Sequence, residues 1–351
     1  MKNRSGNTGN KGAMSVLLTV LLLVVCASFT LSGPRSGLPG KKTVVLPPLE
    51  ELLPAAMRAD DHVMLSVLIG NDDADMSLER FLLGAVAAEM PASFEPEALK
   101  AQAVTARTNV LYNMLVAPKS RHPGVDVCDD YTCCMAYSTD ERLRQKWGED
   151  YTEYMPRIIS AVIETDGEVL TYDSKPILSV FHSSSAAKTE SSGNVWFEDL
   201  PYLQSVSSPE TGETVPDYVS TIVISQQAFI DTFTAKYPDA LFDSHVDSWV
   251  TEITHTASGR VDDLKLGGVK IRGTQLRSLF GLRSTAVSIR LTANDVIFTT
   301  TGYGHGVGMS QYGANTMAGA GAEYGEILLA YYTGCVLTQS SVLQDIVPTR
   351  S

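Results

Sequence analysis

The 351-residue sequence contains no run of lysine and arginine interleaved with aromatic residues, and its 27 basic residues are outnumbered by 40 acidic ones. Nucleic-acid binding is therefore not expected, because neutralising a phosphate backbone needs a basic stripe. There is no Gly-x-Ser-x-Gly elbow, so a serine-hydrolase reading has no nucleophile to rest on. The glycine-rich stretch "TGYGHGVGMSQYGA" (301–314) lacks the Lys-Ser/Thr of a phosphate-binding loop. Neither an internal repeat nor a low-complexity tract occurs, so no solenoid or fibrous architecture is indicated. Cysteine is scarce: five residues in the whole chain, an odd number that cannot all pair.

With 44% hydrophobic residues, the chain suffices for one large domain or two ordinary ones. Ala13–Leu31 carries no charge, and as a helix it would span roughly 28 Å, close to a bilayer core. Lys2, Arg4 and Lys11 precede it, which places residues 1–12 in the cytoplasm and the remainder outside. A cleaved signal peptide is the alternative, but its apolar core is about 7–15 residues, so the length favours an uncleaved anchor over 13–31. Cys26 stands where a lipid could attach, although Val25 precedes it where a small residue is expected. Residues 32–62, with "SGPRSGLPGKK" and "LPPLEELLP", read as a linker, 63–340 as the extracytoplasmic domain and 341–351 as a tail. The acidic balance keeps that domain soluble.

"MLSVLIG" (64–70) predicts a strand. A helix is expected over 77–90, capped by Ser77, with Phe81, Leu82, Ala85 and Val86 on one face and Pro91 as its stop. A second is expected over 95–115, with Pro96 in its first turn and a buried stripe of Leu99, Ala103, Ala106 and Val110. Another is expected around Pro156–Glu164 and a last one over Glu323–Tyr332. From Glu168 onward the pattern turns strand-like. The fold class is α+β, with a helical N-terminal half built on a helix pair and a β-rich C-terminal half.

Glu89 stands at the C-terminal end of a helix, where the dipole disfavours its ionised form, among small alanines that solvate it poorly. Both effects raise a carboxyl pKa, as a general acid near neutral pH requires. A surface glutamate at a helix end is the plainer alternative. In 301–314, glycines let backbone amides approach a ligand while His305, Ser310 and Gln311 supply polar groups; a tight turn around a satisfied histidine fits as well. "FHSSSAAKTESSGNVWFEDLPYL" (181–203) offers hydroxyls and Trp196, which suit a carbohydrate or an ordinary surface loop.

"HPGVDVCDDYTCCMAY" (122–137) concentrates one histidine and three cysteines. His122, Cys128 and Cys134 are evenly spaced. Imidazole and thiolate are good zinc ligands, and three protein ligands leave a fourth position open. Outside a membrane a disulfide is the rival. Cys133 is spare on either reading.

Together these stretches resemble the stage II sporulation protein D family of endospore-forming bacteria. "LLGAVAAEMPASFEPEALKAQAVTARTNVL" resembles its first signature, "FHSSSAAKTESSGNVW" with "YLQSV" its second, and "GYGHGVGMSQYGANTMAGAGAEYGEILLAYYTG" its third. The resemblance implies a membrane-anchored lytic transglycosylase acting on peptidoglycan during forespore engulfment, from the mother-cell membrane. It implies cleavage of the MurNAc–GlcNAc bond in strands lacking stem peptides, leaving 1,6-anhydroMurNAc. The implied partners are the amidase stage II sporulation protein P and the membrane protein stage II sporulation protein M. The family's catalytic glutamate corresponds to Glu89, and its histidine–dicysteine zinc set to His122, Cys128 and Cys134, with zinc as a structural staple. Relatives of this domain in vegetative cells enhance amidases, so a non-catalytic activator role is the alternative. Gln102, Arg107, His182, Ser184, Trp196, His305, Ser310 and Gln311 are the expected substrate-binding residues. Arg107 is assigned to the lactyl carboxylate that a denuded MurNAc exposes, or else to a structural salt bridge. The departures from the family pattern are Ala186 and Ala187, where glycines are common, and Cys133 beside Cys134.

Overall fold

The computed structural model describes residues 63–196 and 198–343, together with Leu53. The proposed anchor over 13–31, its flanks and most of the tail lie outside these residues. Among the described residues no helix is long and apolar enough to cross a membrane.

The chain is mixed α+β and opens with an antiparallel hairpin of β1 (Met64–Ile69) and β2 (Asp72–Ser77), joined at Gly70. Gly70 has φ 65°, a conformation that suits a residue without a Cβ. Ser77 ends β2 and caps α1 (Leu78–Glu89), its hydroxyl accepting from the Arg80 amide. After a turn over 91–95, α2 runs from Pro96 to Leu115 with proline at its start. The chain then adds β3 (Val127–Cys128) to β1 as a parallel partner.

Helix α2 is the axis of the first hydrophobic core. The expected stripe of Leu99, Ala103, Ala106 and Val110 is buried, and the burial extends around the helix: Ala98, Ala101, Gln102, Thr105, Arg107 and Asn109 are covered as well. Alanines let neighbours approach closely, and its polar groups bond to the layer around it. The Thr108 hydroxyl donates to the Val104 carbonyl and accepts from the Leu170 amide, while the Ser179 hydroxyl donates to the Thr105 carbonyl.

The helix α3 (Asp140–Trp147) packs on α4 (Tyr151–Glu164), and α4, β4 (Glu168–Tyr172) and β5 (Lys175–Pro176) pack against α2. Pro156 lies inside α4 instead of beginning it. β6 (Phe181–His182) is only two residues long, and a single turn of helix, α5, covers Ser192–Val195.

Residues 219–298 build a second hydrophobic core around Phe229, Phe233, Leu264, Leu276 and Phe298. It holds β7 (Val219–Ser225), α6 (Gln226–Lys236), β8 (Val250–Thr251), β9 (Asp263–Leu266), β10 (Val269–Arg272), α7 (Gly273–Phe280), β11 (Val287–Leu291) and β12 (Asp295–Thr301). Its two antiparallel sheets run β11-β12-β7 and β10-β9-β8. The chain then returns to the first core through β13 (Met309–Ser310), α8 (Gln311–Gly319), α9 (Tyr324–Tyr331) and β14 (Val336–Gln339). β13 lies parallel to β6, and β14 closes the sheet β14-β4-β5. The C-terminal half is thus less purely β than its pattern suggests.

Candidate active site and metal centre

Glu89 is the last residue of α1, and its side chain is partly buried. Burial raises its carboxyl pKa above the ordinary range; the Ala136 amide, donating to Oε1 at 2.5 Å, opposes that rise. On its other side Gln311, at the start of α8, donates from Nε2 to the Glu89 carbonyl at 2.9 Å and reaches Gln102 Oε1 at 3.4 Å. Gln102 Nε2 is buried without a partner. Three of the expected site residues, distant in sequence, therefore meet at one place.

Gln311 is positioned by Ser310, which caps α8 through the Gly313 amide at 3.1 Å. The Ser310 hydroxyl also donates to Glu210, and Glu210 is the residue that sequence reasoning missed. Its buried carboxylate accepts at 2.5 Å from the Ser185 amide, the Ser310 hydroxyl and the Ser208 hydroxyl. The Tyr331 hydroxyl adds a contact to Ser208 at 2.7 Å. A carboxylate held by so many donors ties β6, β13, α8 and α9 together. Its local sequence "SSPETGE" carries no motif, so only the tertiary structure shows it.

The histidines lie one step further along. His182 is buried, with Nδ1 on the Val307 carbonyl and Nε2 on the Ser185 hydroxyl at 2.7 Å. Burial, then the charges of His305 and Arg260, hold its pKa well below the ordinary value. His305 accepts from the Val307 amide through Nδ1, so the ring is neutral with its proton on Nε2. Burial, with the Arg277 charge next, lowers it to about 4. Its ring centroid lies 5.7 Å from His182 and 5.2 Å from Trp196. Trp196 is 36% and Tyr303 48% exposed, and the Arg283 guanidinium covers the Tyr303 ring at 4.6 Å. Both rings turn outward beside the histidines.

The expectations for single residues divide accordingly. Ser184 and Ser310 turn inward: Ser310 is a capping and bridging residue, and Ser184 pairs its backbone with Tyr303 while its hydroxyl is buried. Arg107 requires a correction. It is 1% exposed, and its guanidinium donates to the carbonyls of Val162 at 3.3 Å and Glu168 at 3.2 Å. Because α2 is the buried axis, that side chain closes the ends of α4 and β4 and does not meet a substrate carboxylate. Among the described residues it makes no direct ion pair either; Glu79, Asp166 and Glu168 act on it as surrounding charge.

The loop over 122–134 folds its four candidate ligands together. The ligand atoms of His122, Cys128, Cys133 and Cys134 all lie within 4.8 Å of one another. The described cysteines are unpaired. The fit to zinc can be judged on the donors. His122 Nδ1 lies 3.0 Å from the Val125 carbonyl, so that nitrogen carries the proton and Nε2 presents a lone pair, 3.2 Å from Cys134 Sγ. A backbone carbonyl fixing the tautomer is the usual support of a zinc-binding histidine. Burial raises the Cys128 and Cys134 thiols, so a compensating cation is needed to hold them as thiolates. The set fits zinc. It also lies next to Glu89: Ala136, two residues after Cys134, donates the amide that binds its carboxyl.

A family model described as stage II sporulation protein matches residues 73–172. Stage II sporulation protein D of Bacillus amyloliquefaciens is 36% identical over 266 residues, covering 76% of this chain and 75% of the relative. The Bacillus subtilis protein of the same name is 34% identical over 267 residues, 76% of each chain. An amidase enhancer of Bacillus subtilis is 29% identical over 309 residues, covering 73% of this chain and 40% of that protein. With the matched region spanning α1, α2, the cysteine loop and β4, this chain belongs to the stage II sporulation protein D family, a family of sporulation.

Proposed function

We propose that the protein is a peptidoglycan lytic transglycosylase that cleaves the MurNAc–GlcNAc β-1,4 bond of strands lacking stem peptides. The observation that carries this reading is Glu89, a partly buried residue whose carboxyl has a raised pKa and accepts the Ala136 amide, while Gln311 holds its backbone carbonyl. Protonated, Glu89 gives its proton to the glycosidic oxygen. As carboxylate it then takes the proton of the MurNAc C6 hydroxyl, whose oxygen attacks C1 and closes a 1,6-anhydro ring. Ordinary glycosidases use two carboxylates. Here the nucleophile is part of the substrate, and the effective molarity of a positioned hydroxyl is high. One carboxyl can therefore serve as acid and then base. Trp196 and Tyr303 are the faces on which sugar rings would stack.

Zinc, held by His122, Cys128 and Cys134, would act as a structural staple that stiffens the segment carrying the Ala136 amide. The setting is forespore engulfment, with the chain anchored in the mother-cell membrane through 13–31. The amidase stage II sporulation protein P would supply denuded strands, and stage II sporulation protein M would share the membrane.

The likeness to an amidase enhancer supports a second reading, activation of an amidase without glycan cleavage. Product analysis separates the two. Denuded glycan incubated with the purified full-length protein should yield anhydro-ended fragments. Intact glycan together with faster amidase turnover would favour the activator.

A further inference from the structure

We propose that Cys133 is the fourth ligand of the metal centre, so that this chain holds zinc in a closed histidine–tricysteine site. The inference rests on the zinc reading above and deepens it. Three protein ligands would leave room for a bound water, as in catalytic zinc sites; four close the coordination shell, as in structural ones. Three observations favour the closed form. Cys133 Sγ belongs to the group whose ligand atoms lie within 4.8 Å of one another, on the same footing as Cys128 and Cys134. Tetrahedral zinc with zinc–sulfur bonds of about 2.3 Å puts its sulfurs roughly 3.8 Å apart, within that spread.

The backbone explains how adjacent cysteines reach one point. The Asp130 carbonyl accepts from both the Cys133 amide at 2.9 Å and the Cys134 amide at 2.8 Å, and the Asp130 carboxylate accepts from the Thr132 amide and hydroxyl. This tight turn is tied to the histidine end of the loop by the ion pair of Arg121 and Asp130 at 3.1 Å. Cys128 is fixed independently, since β3 is hydrogen-bonded alongside β1. The donor chemistry agrees: three thiolates and one imidazole nitrogen are a set zinc takes in closed sites. On binding, the three thiol protons leave to solvent and His122 contributes the Nε2 lone pair. With no open position, the metal offers no bound hydroxide, and the proton transfers rest on Glu89.

The test counts sulfur around zinc in the unaltered full-length protein by X-ray absorption at the zinc edge. Three sulfurs and one nitrogen are expected; two sulfurs with two lighter ligands would overturn the assignment. Cobalt substitution checks it independently. In Cys133→Ser the thiolate-to-cobalt charge-transfer band should fall by about a third and zinc should bind roughly tenfold or more weakly, while Cys335→Ser leaves both unchanged. A Cys133→Ser band of full intensity would also overturn it. Zinc bound through two sulfurs removes Cys133 alone. A protein that binds no zinc removes the metal reading with it.

Discussion

Glu89 combines a helix C-terminus, partial burial and a single donated amide, and each shapes what its substitution should do. Glu89→Gln keeps the Oε1 that accepts from Ala136 but cannot shuttle a proton, so glycan cleavage should be lost with the fold intact. Its stability should change as well. A carboxyl whose folded pKa is raised contributes stability below its unfolded pKa and loses it as pH rises through the folded value. At neutral pH the variant should thus be more stable than the parent, a gap that closes in acid. Equal melting of the two proteins from pH 4 to pH 8 would contradict the raised pKa. His305 has the opposite sign. Its folded value of about 4 lies below the ordinary 6.5, so stability is lost as pH falls between those values. His305→Gln should flatten that loss by roughly 2 kcal/mol, discounted for partial exposure, measured by denaturant unfolding at pH 4 and pH 7.

The elements that the sequence announced are those whose ends carry chemistry of their own. Ser77, Pro91 and Pro96 fix α1 and α2 to within a residue, and the clustered cysteines announce a loop that could hold a metal ion. What the pattern concealed follows from tertiary context. The alanines of α2 fit an amphipathic stripe as well as a helix covered on all sides, and the latter turns Arg107 from a ligand into a strut. β2 reads "DDADMS", where only Ala74 and Met76 alternate with polar residues, too short a pattern to mark a strand; its pairing with β1 forms it. Glu210 depends on partners up to 123 residues removed from its neighbour Ser208, beyond the reach of any local motif. That junction yields a prediction for α8. A Cβ at Gly313 would collide with the Tyr331 hydroxyl, Ser208 Oγ and Glu210 Oε2. Gly313→Ala should therefore destabilise the protein by roughly 3 kcal/mol by chemical unfolding, despite alanine's better helix propensity. A neutral or stabilising effect would show that the Glu210 junction is loose.

For the whole molecule, the cysteine loop and α8 converge on Glu89 at the end of α1, the loop segment at its carboxyl and α8 at its backbone carbonyl, while the outward aromatic faces lie on segments linked to it through Gln311, Ser310, Glu210, Ser185 and His182. Removing zinc should loosen the segment carrying Ala136 and lower the melting temperature by roughly 5–10 °C, reversibly on zinc addition; a chelator without effect on melting would contradict the staple role. The central claim is that one carboxyl suffices because the substrate supplies its own nucleophile. Mass spectrometry of denuded glycan treated with the full-length protein tests it most directly. The account predicts 1,6-anhydroMurNAc ends with the parent and none with Glu89→Gln. Reducing MurNAc ends carrying oxygen from solvent water, or anhydro ends still formed by Glu89→Gln, would contradict it.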